Sequence, residues 1–176
     1  MKRLSCIISL LFTAFAAFAQ GGGIPLMDKA QGKRVSFHYT YSLSQNGSDF
    51  SPITDGEVLV EGNAYILKGL GLEVRSDGCT RWTLDSDAKE LLIETVSDDD
   101  LFTNPALFLS SYRNYMDSIV VNASAKDSLD VTLVLDNDTR ARFVLSGVKF
   151  MELQGKSGFP LDEKSLSSDF VITDLR

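Results

Sequence analysis

Strict alternation of apolar and polar residues marks the first strand of the chain. Residues 35–43 read VSFHYTYSL, in which every second residue, from Val35 to Leu43, is apolar. This period of two is typical of a β-strand with one buried face. Comparable runs recur as far as residue 96, and short turns such as Glu61-Gly62-Asn63 and Asp77-Gly78 separate them. The pattern therefore predicts a β-meander in this part of the chain.

The pattern changes to a helical period at residues 105–116, PALFLSSYRNYM. Asn104 is a favourable N-cap and Pro105 suits the first helical position. Because the helix is amphipathic, we expect its apolar stripe to pack on the sheet. Strand patterns resume afterwards, and the polar connection 155–168 is expected to carry a helical turn. The later strands are predicted at residues 119–122, 128–135, 140–145, 148–153 and 170–175.

These elements predict a mainly β fold of roughly nine to eleven antiparallel strands with one or two short helices. Two architectures fit that count, namely a sandwich and a curved, incompletely closed barrel. The sequence shows no internal repeat and no second domain.

The first residues have the form of an export signal. Two basic residues precede an apolar run at 4–18, and Ala17-Phe18-Ala19 matches a small-x-small cleavage site. The run is short for a membrane span, and Cys6 lies too early in it to be a lipid-attachment site. We therefore predict a cleaved signal peptide at 1–19 and a single exported, soluble domain at 20–176.

Composition and charge narrow the class of function. The chain has 24 acidic and 17 basic residues and a formal net charge of −7. This balance argues against nucleic acid, whose phosphates require basic patches, and against docking on anionic lipid. Cys79, the one cysteine outside the leader, cannot form an internal disulfide, so the fold has to rely on burial and hydrogen bonds.

Catalytic and metal-binding patterns are weak in this sequence. His38 falls on the polar side of its strand, and nothing in the sequence places it beside Cys79. One histidine does not satisfy the usual zinc motifs, and Asp98-Asp99-Asp100 is more typical of a solvated loop. Asp136-Asn137-Asp138 lacks the glycine and glutamate of a calcium loop and predicts a hairpin turn. We therefore predict no enzyme activity, no catalytic residue, no metal and no cofactor.

Residues 56–108, GEVLVEGNAYILKGLGLEVRSDGCTRWTLDSDAKELLIETVSDDDLFTNPALF, resemble the LolA family of periplasmic lipoprotein carriers, particularly LolA-like proteins of Bacteroidetes. The resemblance rests on the order and spacing of several features and not on one specific motif. Outside this stretch, the later part of the chain matches only by its strand pattern. The matching features are Gly56, the Gly62-Asn63 hairpin, Tyr65 and Leu67, Asp77-Gly78 with Trp82, Leu91 and Ile93, and Asn104-Pro105.

The resemblance implies an unclosed antiparallel barrel whose concave apolar face shelters acyl chains beneath a helical lid. It also implies a periplasmic monomer that receives acylated lipoproteins from an inner-membrane ABC transporter and passes them to an outer-membrane acceptor. The lid residues would be Pro105, Leu107, Phe108, Tyr112 and Tyr115. The cavity would be lined by Phe37, Tyr39, Tyr41, Val58, Val60, Tyr65, Leu67, Trp82, Leu84, Leu91, Ile93, Phe143 and Phe150.

One residue departs from the family pattern. Ile66 stands where better-known members carry an arginine that contacts the lid helices, so this contact is expected to be absent or made differently here. Alternating apolar residues also describe an ordinary filled core, which composition does not separate from a lined pocket. The alternative to a lipoprotein carrier is a non-catalytic binding or structural envelope protein of the same fold, with another lipid or no lipid.

Overall fold

A computed structural model describes residues 23–97 and 104–176 of the chain. The predicted leader and the Asp98-Asp99-Asp100 loop lie outside these residues. The helical elements are α1 (Pro25–Ala30), α2 (Pro105–Ser111) and three 3-10 segments at Tyr112–Ser118, Lys156–Gly158 and Glu163–Ser165. The strands are β1 (Arg34–Gln45), β2 (Ser51–Glu61), β3 (Ala64–Gly69), β4 (Leu72–Ser76), β5 (Thr80–Asp85), β6 (Glu90–Thr95), β7 (Ile119–Ser124), β8 (Leu129–Val134), β9 (Thr139–Met151) and β10 (Val171–Asp174).

All ten of these strands belong to one sheet in the order β10-β6-β5-β4-β3-β2-β1-β9-β8-β7. The sheet does not close, because β10 and β7 remain its two edges. The predicted fold class, a mainly β unclosed sheet with short helices, is confirmed, and the sandwich alternative is wrong. One pairing differs from the prediction, since β10 runs parallel to β6. A parallel neighbour requires a long crossover, and residues 96–170 supply it.

Short polar turns connect the consecutive strands as the sequence predicts. The Asp77 carboxylate accepts hydrogen bonds of 2.8 Å from the backbone N–H groups of Cys79 and Thr80 between β4 and β5. Asp136 accepts equivalent bonds of 2.8 and 2.7 Å from Asp138 and Thr139 between β8 and β9. Both are therefore aspartate-stabilised hairpin turns.

Strand β9 is one long strand where the sequence suggests two. It continues through Gly147, which has a φ of 62° and forms a bulge against β1. A bulge adds one residue to one strand of a pair, and a glycine can adopt the left-handed backbone that this requires. The alternation of apolar and polar residues is then shifted, but the strand pairing continues. The apparent break at residues 146–147 is therefore a bulge and not a turn.

The sheet has two faces, and both carry apolar residues. The residue pairs between neighbouring strands show which side chains lie on which face. Directly paired residues share a face, so Phe37, Val58, Leu67 and Val74 lie in one row across β1 to β4. We call this side the inner face. Its opposite is the outer face, which carries the row of Arg75, Trp82 and Ile93 from β4 to β6.

The main core lies between the inner face and the two α-helices. Helix α1 contributes Met27, which is fully buried, and α2 contributes Phe108 and Leu109. The sequence analysis did not identify α1, although Pro25 at its first turn and Gly32 after its end are typical boundary residues. Buried strand residues of this core include Val35, Phe37, Val58, Val60, Tyr65, Leu129, Val131, Leu133, Phe143 and Leu145.

A second, smaller core lies on the outer face. Trp82, Leu91 and Ile93 are buried there, and Leu84, Leu161 and Leu166 pack against them. We call residues 154–170, which cross this face, the C-terminal segment. Its two 3-10 turns confirm the expected helical turn in this connection.

Candidate ligand-binding site

Nine of the thirteen residues assigned to a cavity lie on the inner face, and four do not. Trp82, Leu84, Leu91 and Ile93 are on the outer face, so the prediction that they share the concave face with the others is wrong. The physical reason is register, because Val74 pairs with Thr83 and Arg75 pairs with Trp82. The inner-face residues are Phe37, Tyr39, Tyr41, Val58, Val60, Tyr65, Leu67, Phe143 and Phe150.

The two helices cover the centre of the inner face. The Phe143 ring stacks on Phe108 of α2 with centroids 5.1 Å apart, and on Tyr41 of β1 at 4.9 Å. The Lys29 ammonium of α1 lies 4.2 Å from the centroid of Phe150. These contacts place both helices directly on the aromatic residues of the predicted cavity.

Helix α2 matches the predicted lid at its beginning but not at its end. The Leu107 N–H donates a 3.0 Å hydrogen bond to the Asn104 side chain, which confirms Asn104 as the N-cap. Pro105 takes the first helical turn, and Leu107 is half-buried. After residue 111 the chain continues as a 3-10 helix, and this change of period turns Tyr115 outward, 37% exposed. Tyr115 is therefore not part of the packed stripe.

Ala106, Leu109 and Tyr112 complete the buried side of the lid with Phe108. Of these, Ala106 and Leu109 were missed in the sequence, because the expected stripe was drawn through Tyr115. Leu109 lies three residues after Ala106 and three before Tyr112, a spacing that places all three on one side of a helix.

A small polar latch joins α2 to α1. The Tyr112 hydroxyl donates to the Asp28 carboxylate and accepts a 3.2 Å hydrogen bond from the Ile24 N–H. The Arg113 guanidinium lies 2.6 Å from the same carboxylate. Gln31 adds a 2.8 Å hydrogen bond from its side chain to the Leu109 carbonyl.

The latch perturbs its own titrating groups. The hydrogen bond from Tyr112 holds the pKa of Asp28 below its ordinary 3.8, and Arg113 lowers it further. Burial, together with the bond to Asp28, raises the pKa of Tyr112. The latch is therefore strongest when Asp28 is ionised and Tyr112 is neutral.

A small cleft lies between α1, α2 and the sheet. It measures 140 Å³, and Val35, Val60, Ala106 and Leu109 line it. Clefts that hold ligands usually measure about 300–1,000 Å³. This cleft is therefore too small to hold a long acyl chain in the arrangement of α2 that the structure shows.

The margin of the inner face is less covered than its centre. Tyr39, Leu67 and Val74 are half-buried at the edge of the main core. Burial raises the pKa of Tyr39, and a side-chain hydrogen bond with Thr54 partly offsets this rise. Further along the same face, Leu175 beside β10 is 64% exposed. The margin of the inner face is therefore only partly covered by the helices.

Ile66 lies on the outer face, between the inner-face residues Tyr65 and Leu67. It pairs with Leu59 and Arg75, on the side of the sheet away from both helices. Ile66 therefore faces away from the lid, and this position makes no contact with it. The Asp28, Tyr112 and Arg113 contacts join the lid to α1 instead.

The remaining candidates for chemistry are dispersed. His38 is exposed on the outer face of β1, and Cys79 is exposed in the turn after β4. Within residues 23–97 and 104–176, no group of three His, Cys, Asp or Glu side chains is placed to hold a metal ion. No helix among the same residues is long and apolar enough to cross a membrane.

The fold and the covered inner face define a class of protein, a single unclosed β-sheet with helices packed on one apolar face. No family model matches the sequence, and no curated protein matches it. Among solved structures, the chain is similar to a LolA superfamily protein from Nitrosomonas europaea, with 10% identity, 78% of this chain and 97% of that chain covered, and a TM-score of 0.46. An uncharacterized conserved protein from Thermus thermophilus has 7% identity, 85% and 97% coverage, and a TM-score of 0.41. These values describe a distant likeness and carry no information about ligand or activity.

Proposed function

We propose that this protein is a periplasmic carrier that shelters the acyl chains of lipoproteins, or of another lipid, on its inner face. The observation that supports the proposal is the short lid over an aromatic and aliphatic surface. Helix α2 has seven residues and joins α1 through a few polar contacts at one end. A cover of this kind can be displaced as a unit while the sheet beneath it stays intact.

The energies of displacement and binding are comparable. Exposing Phe108, Leu109 and Tyr112 costs about 1.5–3 kcal/mol for each side chain, or about 5–9 kcal/mol together. An acyl chain of about fifteen methylenes gains about 12 kcal/mol when it leaves water completely. One long chain therefore offsets the displacement of the lid, and partial burial leaves the complex reversible.

The supply and delivery partners belong to the same proposal. A carrier that returns to a closed, lid-filled state needs a donor to load it and an acceptor to empty it. We propose an inner-membrane lipoprotein-release transporter as the donor and an outer-membrane protein as the acceptor. The closed inner face favours this cycle, because the lid replaces the lipid when it leaves.

The test is lipid binding by the protein purified without detergent. Native mass spectrometry should detect bound lipid, and a dansyl-labelled fatty acid should bind with a saturable rise in fluorescence. Tyr39→Asp, on the inner margin, should weaken binding of the dansyl probe about tenfold or more. His38→Asp is the matched control, because it introduces the same charge one residue away on the outer face and should leave binding unchanged.

The filled core supports the alternative, a binding or structural envelope protein of the same fold without lipid. Under that alternative neither bound lipid nor saturable probe binding is found, and Tyr39→Asp behaves as His38→Asp does. A tripalmitoyl-cysteinyl peptide in the same assay separates the two kinds of cargo. Preference for it over the free fatty acid supports lipoproteins, and the reverse preference supports free lipid.

A further inference from the structure

The small cleft between α1, α2 and the sheet has an apolar floor and a polar mouth, and we call it the α1–α2 cleft. The floor consists of four buried residues, Val35, Val60, Ala106 and Leu109. The mouth consists of less buried lining residues that are polar or glycine, namely Gln31, Gly32, Lys33, Gly62, Asn63 and Ser110. An apolar floor with a few polar groups around it is the usual composition of a site for a small ligand.

The volume of the α1–α2 cleft, 140 Å³, limits the size of a ligand. A cavity needs about 10–15 Å³ of this kind of volume for each water molecule that it holds. The cleft therefore has room for roughly ten water-sized groups, which is about the size of a carboxylic acid of eight carbons. A chain of this length fits while α2 stays in place, whereas a longer chain requires α2 to move.

Two lysines bring positive charge to the mouth. Lys33 lines the cleft, and its ammonium lies 2.9 Å from the Glu152 carboxylate. The Glu152 side chain is 90% exposed, so water screens this ion pair and an anion can compete for Lys33. The Lys156 ammonium donates a hydrogen bond to the side-chain oxygen of Asn63, which lines the mouth. A Cβ built at Gly62 would lie 3.7 Å from the Lys156 Cε, which places this side chain at the same rim.

The charge at the mouth differs in sign from that of the whole chain. Among the residues that the structure describes, no acidic side chain lines the cleft, and Lys156 has no carboxylate partner. The chain as a whole has 24 acidic and 17 basic residues. The Gln31 side chain donates its 2.8 Å hydrogen bond to the Leu109 carbonyl and thus joins the two helices at the mouth. An anionic group here would meet two ammonium groups.

We propose that the α1–α2 cleft binds a single-chain anionic amphiphile, with its head at Lys33 and Lys156 and its first carbons on the apolar floor. This inference rests on the proposed function, because it names the class of lipid that the inner face receives. Charge complementarity argues for this occupant, since the ammonium groups favour an anion and the floor favours an alkyl chain. Acyl groups in ester or amide linkage carry no charge, so the two lysines favour a free lipid over a lipoprotein.

The experiment compares octanoate, octyl phosphate, octanol and octylamine, which share one alkyl chain and differ in their heads. Isothermal titration calorimetry uses the full chain without its leader. We expect octanoate to bind at one site and to bind more weakly as salt increases. Octanol should bind about tenfold more weakly, and octylamine should not bind. Tighter binding of octyl phosphate assigns a phosphate head and tighter binding of octanoate assigns a carboxylate, and either order supports an anion site.

Variants separate the head from the chain. Lys33→Gln and Lys156→Gln should each weaken octanoate binding about threefold, and the double variant about tenfold, while octanol binding stays unchanged. Lys126→Gln is the matched control, because Lys126 is exposed in the turn between β7 and β8 and does not line the cleft. Ala106→Leu fills the floor and should abolish the binding of both octanoate and octanol.

The inference is overturned if octanoate does not bind, if octanol binds as tightly, or if Lys126→Gln weakens octanoate binding as much as Lys33→Gln does. It is also overturned if Ala106→Leu, shown to be folded by its melting transition, keeps full octanoate binding. The dansyl fatty acid tests the proposed function separately. Binding of that probe without a preference for octanoate over octanol overturns only the anion site, whereas no binding of any of these ligands overturns the proposed function as well.

Discussion

The inner and outer faces of the sheet are both covered, but by different kinds of cover. On the inner face a seven-residue helix packs on aromatic residues and is held at one end by the Asp28 latch. On the outer face the C-terminal segment, with its two 3-10 turns, is attached at several points along its length. Burial is therefore common to both covers and does not distinguish them. We propose that the number and spacing of the polar attachments decide whether a cover can leave as a unit.

The outer attachments begin at Glu61, which is buried. Its carboxylate accepts hydrogen bonds from the backbone N–H groups of Gln154, at 3.1 Å, and Gly155, at 2.6 Å. Burial alone would raise the pKa of Glu61, but these bonds and Arg34 lower it. Arg75 donates to the Gly158 carbonyl at 3.3 Å. The outer cover then ends in β10, which is itself part of the sheet, so we expect it to be permanent.

Trp82→Ala should have the largest effect, because it removes the centre of the outer core and the hydrogen bond to Glu163. We expect the free energy of unfolding to fall by about 3–5 kcal/mol, measured by urea denaturation. Dansyl fatty acid binding by the folded fraction should not change, since Trp82 faces away from the lid. Trp82→Phe keeps a ring and should lose only about 1–2 kcal/mol. A loss of lipid binding in Trp82→Ala would contradict the separation of the two faces.

Phe108→Ala should have an intermediate effect on stability and the opposite effect on binding. The loss should be about 2–3 kcal/mol, below the usual value for a buried phenylalanine, because a short helix can settle into part of the space. Weaker packing of α2 should strengthen binding of the dansyl fatty acid. Ser110→Ala, on the exposed side of the same helix, is the control and should change stability by less than about 0.5 kcal/mol. Weaker binding by Phe108→Ala would show that α2 forms part of the site and does not close it.

The smallest effect concerns the pH dependence of the latch. The pKa of Asp28 is lowered in the folded protein, so its stabilising contribution is present above the unfolded value and is lost as pH falls through the folded value. Asp28→Asn should therefore lower the melting temperature at neutral pH. The difference from the unmodified protein should shrink as pH falls below 3.8. A difference that stays constant across this range would exclude ionised Asp28 as the latch.

Sequence patterns predict which residues of a strand share a face, but they do not predict which face it is. Trp82 and Leu84 were correctly placed together by their spacing. Their side of the sheet depends on the pairing of β4 with β5, where a shift of one residue exchanges the faces. The first strand was predicted correctly because its five apolar positions alternate without interruption, and all five lie in or against the main core.

The remaining errors have a common physical origin in long-range contacts. Leu161 and Leu166 make an outer core around Trp82, although they are distant in sequence and carry no periodic signal of their own. The Asp28 latch likewise joins residues 84 and 85 positions apart. Local turns and caps, such as Asp77 and Asn104, were predictable because their hydrogen bonds are made within three residues.

The pairing of β10 with β6 also constrains the order in which the chain can fold. Val171 and Leu175 donate backbone hydrogen bonds to Lys89 and Ile93, so β10 completes a strand pair begun about eighty residues earlier in the chain. Until β10 has been synthesised, β6 is a sheet edge, and the C-terminal segment does not yet cover the side chains of Trp82 and Leu91. Folding intermediates should therefore be most prone to aggregation at this edge, and a chaperone that holds the nascent protein would protect it best by covering β6.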